Sequence, residues 1–329
     1  TLKTASNSNI TDTSFAVRRA FVVTLSGGSG QITAGTNESF PSSASDSDYL
    51  IAIDDVGSAT AGATGDVLTT IGNNHDGNPI FTQPSGNGTS VFDFGSNYAN
   101  AKIKIIATVN RSTAGSKSKT LVSGSTKDVT SLADCTKQGG INLGQADIFQ
   151  LISVKMATAF GAYSASGEVD ITDRYDLDNG QRDNYYDLGR IKLKSGELEP
   201  IGSLRITFDF FTHGSGDYFD VDSYTGVVSY EGIPSYNSDT TGKSLELRDC
   251  LDFRPRVADN STINSGGFDR DFDPTDNAST VDVVKFGTDI TADFEYYLPR
   301  IDKIFLDKEG VFKVVKGASA LDPQVPKTL

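Results

Sequence analysis

Apolar residues recur at every second position along much of this chain, and Gly, Ser and Asn punctuate the stretches that carry the pattern. In "KIKIIATV", Ile103, Ile105, Ala107 and Val109 fall on one side while Lys102, Lys104 and Thr108 fall on the other, as a half-buried strand requires. "LRITFDFF" alternates Leu204, Ile206, Phe208 and Phe210 with Arg205, Thr207 and Asp209 in the same way. "IDKIFLDKEGVFKVVKG" reads as a hairpin in which Gly310 supplies a positive φ, and "YFDVDSYTGVVSY" as another, with Val221 and Val227 flanking a Thr225-Gly226 turn. Helical candidates are short. They are residues 128–137, and 145–157 if that stretch is not instead a strand with Ile152, Val154 and Met156 inward. The pattern predicts an all-β chain with little helix.

Composition divides the 329 residues once. Up to about residue 126 the chain is rich in Ser, Thr, Gly, Ala and Asn, with turns such as "LSGGSGQITAG" and "QPSGNGTS"; beyond it Tyr, Asp and Arg become denser. We therefore expect a β-sandwich over 1–126, of immunoglobulin-like or related form, and a larger β-rich domain over 127–329 with a sub-boundary near Pro255. No repeat of fixed period points to a propeller or solenoid. A chain that opens on Thr1 reads as a processed product or as part of a longer polypeptide.

A net charge of −14 and a pI near 4.5 argue against a phosphate-binding surface, which needs clustered Lys and Arg, so nucleic acid is not an expected partner. No apolar run reaches the roughly 18 residues of a membrane span. The two cysteines, Cys135 and Cys250, lack metal-ligand spacing and read as reduced thiols in preference to one long-range disulfide.

Chemical motifs are few. The only histidines are His75 and His213, and "THGSGD" sets Ser215 and Asp217 beside His213 without a nucleophile-elbow pattern, so a glycine-rich turn explains it. Phosphate loops and dinucleotide fingerprints are missing, and no catalytic residue or cofactor is indicated. With 43 acidic residues, carboxylate pairs are too common to nominate a glycosidase site. Asp269, Asp271 and Asp273, with Asp276, have spacings that could surround a hard cation, but the calcium-loop Gly and Glu are missing and a solvated acidic loop is the alternative. "DLDNG" fails the same test because Tyr175 and Leu177 stand where ligands should.

The densest stretch is "DRYDLDNGQRDNYYDLGRIKLK", residues 173–194. Tyr and Arg favour protein interfaces, since they combine large contact area with directed polar groups. Arg174, Tyr175, Arg182, Tyr185, Tyr186 and Arg190 are therefore interface candidates, joined by Arg248 and Arg254 of "LELRDCLDFRPRV". The other reading is that the tyrosines complete the domain's own core and the arginines pair with its Asp residues.

Four blocks in order, "YDLDNGQRDNYYDLGRIKL", "FDFFTHGSGDYFDVDSYTG", "LRDCLDFRPRV" and "YYLPRIDKIFLDKEGVFKVVKG", resemble an uncharacterised family of virion structural proteins of tailed bacteriophages, of the kind associated with tail fibres or baseplates in contractile-tailed cyanophage-type viruses. The resemblance covers roughly residues 145–329. It implies a non-enzymatic tail component that assembles in the host cytoplasm, contacts other tail or baseplate proteins and further copies of itself, and carries no catalytic residue. Alternatives are an adhesin-type module for a host-surface glycan or receptor and a polysaccharide-degrading tail enzyme, although the absence of Trp counts against both.

Overall fold

The computed structural model describes residues 2–4, 14–257, 259, 282–291, 294–296 and 298–327; the acidic candidates Asp269, Asp271 and Asp273 lie outside them. Strands dominate, with little helix, so the chain is all-β with several antiparallel sheets.

The first sheet is centred on Lys102–Arg111, paired along its whole length with Phe15–Thr24 on one side and with Tyr49–Asp55 on the other. Alternation does what the sequence implies. Ile103, Ile105, Ala107 and Val109 are fully buried, and Ile51 and Ile53 face inward beside them. A three-stranded sheet of Ser29–Thr33, Thr89–Asp93 and Phe81–Thr82 supplies Ile32 and Phe92 to the same core, which makes the unit a sandwich. Residues 14–111 do not complete it alone. Val283–Val284 returns to pair with Phe15–Thr24, and Phe253 packs edge-on against Phe15 at 5.1 Å.

Lys119–Val129 is one strand that runs through residue 126 and belongs to the sheets of the second unit. It pairs with Leu204–His213, which pairs in turn with Ile148–Met156. A second sheet of Ile141–Ala146, Leu188–Leu193 and Tyr175–Asp178 packs on it, with Leu143, Ile191, Ile206 and Phe208 in the shared core. The buried carboxylate Asp209 spans both irregular edges of Leu204–His213, accepting from Gly124 N and from Gln150 Nε2, each at 2.7 Å. Residues 252–257 are interior, not a linker: Tyr186 N donates to Pro255 O and Val257 N to Tyr186 O.

Three local expectations are corrected. Helix over 128–137 shrinks to one turn, Leu132–Cys135, since Val129 still belongs to a strand. Residues 148–156 form a strand, but a register shift between Leu151 and Ser153 turns Ile152 outward while Val154 and Met156 stay buried. Around Thr225-Gly226 there is a 3-10 turn, Val221–Tyr224, in place of a hairpin, because Asp220 and Ser223 cap each other's backbone. The hairpin at Gly310 is present, as strands Lys303–Leu306 and Phe312–Val315. Cys135 and Cys250 are free thiols, and no helix among the described residues is long and apolar enough to cross a membrane.

Candidate functional site

Lys119 opens its strand directly across the ladder from His213, so both side chains leave the sheet side by side. Asp147 meets them from the tight corner between Ile141–Ala146 and Ile148–Met156, where it takes a left-handed conformation of φ 56°, one that Asp tolerates better than most residues. One carboxylate oxygen, Oδ2, accepts from Lys119 Nζ at 2.7 Å and lies 2.7 Å from His213 Nε2; the other, Oδ1, accepts from Gln181 Nε2 at 3.3 Å.

Four rings enclose the ammonium: Phe219 at 4.6 Å, Tyr186 at 4.7 Å, Tyr224 at 4.9 Å and Phe211 at 5.3 Å from Nζ. A ring face attracts a cation most strongly where water is excluded, and the Lys119 side chain has no exposed surface. Its Nζ also donates to Tyr186 Oη at 3.3 Å, and that hydroxyl donates to Asp252. Arg254 clamps Asp252 through Nε and Nη2 at 2.9 and 2.8 Å, and its Nη2 reaches Tyr186 Oη at 3.1 Å. Two ammonium or guanidinium groups thus face two carboxylates inside the protein.

Burial alone would drive these groups toward their neutral forms. It is outweighed at Asp147, which the Lys119 charge and the His213 hydrogen bond hold below the usual carboxylate range, and at Lys119, which Asp147 holds above the usual amine value. Asp252 is likewise held low against burial, by Arg254. At His213 burial wins over Asp147 and pushes the imidazole down to about 4, so it is neutral at pH 7.

The Tyr–Arg candidates divide between interior and surface. Tyr186 and Arg254 meet in the buried network, and Tyr175 is buried in the neighbouring core, so these three serve this chain's own interior, not a free surface. Arg182 forks onto Asp178 with both contacts at 2.9 Å, which occupies the second of the two acids of "DLDNG" with an ion pair. Gly180 of that motif is needed for space as well as for its positive φ, because a Cβ there would stand 2.1 Å from Asp187 O. Arg190 lies 3.8 Å from Asp187, Arg248 pairs with Glu246 at 3.2 Å over the Tyr230 ring, and Arg174 and Tyr185 are half-buried. Among the described residues no group of three or more His, Cys, Asp or Glu is placed to hold a metal ion.

Sequence reading passed over Lys119, Asp147, Gln181 and Tyr224 and placed His213 in a turn, whereas Asp252 stands among the acids of "LELRDCLDFRPRV" read as ion-pair partners of its arginines, within the chain or across a subunit contact. One signal was present: Lys119 stands in period-2 register with Leu121, which packs beside Phe211, so a lysine occupies an apolar strand face. Comparison with family models, curated proteins and solved structures finds no match to this chain.

Proposed function

We propose that the chain is a non-enzymatic structural component of a bacteriophage tail, from the baseplate or a fibre-like appendage, and that it works by assembly with further copies of itself and with neighbouring virion proteins. The observation that carries the assembly reading is the ribbon Lys303–Leu306 and Phe312–Val315. Its register sets Ile304 opposite Val314 and Leu306 opposite Phe312 on one face, and these four side chains are 56–73% exposed. Among the described residues, the hydrogen bonds and ion pairs of 298–327 join residues of that same segment. A two-stranded ribbon is marginal by itself in water and gains stability when its apolar face is covered.

Charge favours another copy as the cover. Residues 300–316 hold five basic side chains (Arg300, Lys303, Lys308, Lys313, Lys316) against three acidic ones (Asp302, Asp307, Glu309), in a chain whose net charge is −14. A weakly basic apolar ribbon is thus offered to strongly acidic bodies. The resemblance blocks around Tyr186 and Arg254 add support of a different kind, since what they specify is interior architecture.

Light scattering on the purified chain tests this reading. We expect a closed oligomer that Leu306→Ser combined with Phe312→Ser converts to a folded monomer. A wild-type chain that stays monomeric as concentration is raised sinks the self-assembly part.

A further inference from the structure

The Lys119–Asp147 pair is furnished with more than a charge pair needs. Lys119 is the amine and Asp147 the one carboxylate among the described residues within ion-pair reach of it, 2.7 Å apart and with 0% and 1% of their side-chain surfaces exposed. Each oxygen of Asp147 also faces a second polar group, Gln181 at Oδ1 and His213 at Oδ2. On the far side of the amine, the Tyr186 hydroxyl links Nζ to the Asp252 carboxylate. Asp147 itself is held in left-handed backbone of φ 56°, which the surrounding fold sustains.

We propose that Lys119 and Asp147 condense inside the folded protein into an intramolecular isopeptide bond. The resting pair is ionic, with the proton on Lys119. Transfer of that proton along the Nζ–Oδ2 hydrogen bond gives a neutral amine and a carboxylic acid, a form that loss of hydration makes less unfavourable than it is in water. The Nζ lone pair then attacks Cγ. Negative charge builds on Oδ1, where the Gln181 amide donates, and the Nζ–Cγ bond forms. A second proton passes from the nitrogen to Oδ2, the oxygen Nζ already contacts at 2.7 Å and which His213 also faces; the Cγ–Oδ2 bond breaks and water departs. Of the three ammonium protons, two leave in that water and one stays on the amide nitrogen, so no oxidant, reductant or co-reactant enters.

Fixed geometry supplies the drive that a free amine and carboxylate lack. Groups held in contact react as if at very high concentration, and the site excludes the water that would favour the ionic pair. The bond ties the first strand of the second unit to the Asp147 corner. This inference does not rest on the phage reading.

The test is the intact mass of the purified full chain under denaturing conditions, followed by proteolytic peptide mapping. We expect a mass lower than that of the sequence by one water, and a branched peptide joining the Lys119 and Asp147 segments. Lys119→Arg keeps a cation that does not condense and recovers the full mass. A wild-type chain at full mass, with Lys119 found in an unbranched peptide, overturns the proposal; that wild-type result stands whether or not the variant folds.

Discussion

In the first unit, Ile51, Ile103 and Ile105 pack with Phe40 and Phe92, and Tyr49 satisfies its hydroxyl on Pro41 O and Ser90 at the edge of that core. In the second, Phe211, Phe219 and Tyr224 surround Lys119, which pairs with Asp147, and Asp209 and Asp252 are buried as well. Every buried charged side chain among the described residues falls between positions 119 and 252. The contrast teaches how each interior chooses its partners. A dry core accepts any apolar group of the right volume, whereas a buried ion pair accepts only its counter-ion in one geometry.

That difference is open to a direct break. Measured against the uncondensed ionic pair, Asp147→Ala leaves Lys119 without a counter-ion inside four rings, and removal of one partner from a buried pair costs about 3–5 kcal/mol. Far-UV circular dichroism during urea unfolding measures the loss. Ile105→Ala in the dry core is expected to cost about 2–5 kcal/mol by a different route, the lost apolar contact plus a cavity. The sharper comparison is the double variant Lys119→Met with Asp147→Leu. It removes both charges and should regain much of what Asp147→Ala loses, if the network is electrostatic in origin.

Acid gives the next largest effect. His213 stays neutral in the fold down to about pH 4, whereas in the unfolded chain it takes a proton near 6.5. Between those values the unfolded state binds more protons, so stability falls as pH drops from 6.5 to about 4, by on the order of 3 kcal/mol. Urea unfolding at a series of pH values should show this slope, and His213→Gln should flatten it. A slope unchanged in the variant would assign the acid sensitivity to the carboxylates instead.

The first unit was the more legible of the two, for a physical reason. Burial of alternate apolar residues leaves a period-2 trace in one strand, and Ile103 to Val109 carry it unbroken. The network at Lys119 leaves no such trace, because its members come from positions 119, 147, 186, 213, 252 and 254 and meet only once the sheets are stacked. Density of Tyr and Arg in residues 173–194 did point to the right neighbourhood. What it could not convey is direction. Tyr186 lies on the inward side and Tyr185 only half so, a difference of one residue in an extended chain.

Ile152 offers the smallest effect and the most specific test of where alternation fails. Strict period 2 from Val154 and Met156 would send it inward, and truncation of a buried Ile to Ala costs about 2–5 kcal/mol. The shift of register between Leu151 and Ser153 instead leaves it 47% exposed, on the solvent side of the strand. There, Ile152→Ala should change stability by only about 0.5 kcal/mol, whereas Val154→Ala two residues on should carry a core penalty. If urea unfolding ranks the two variants in that order, the bulge sets the inward face of the strand. Equal penalties would mean that the alternation read from the sequence runs through Ile152 after all, and that the Asp209-bridged irregularity does not govern this edge of Leu204–His213.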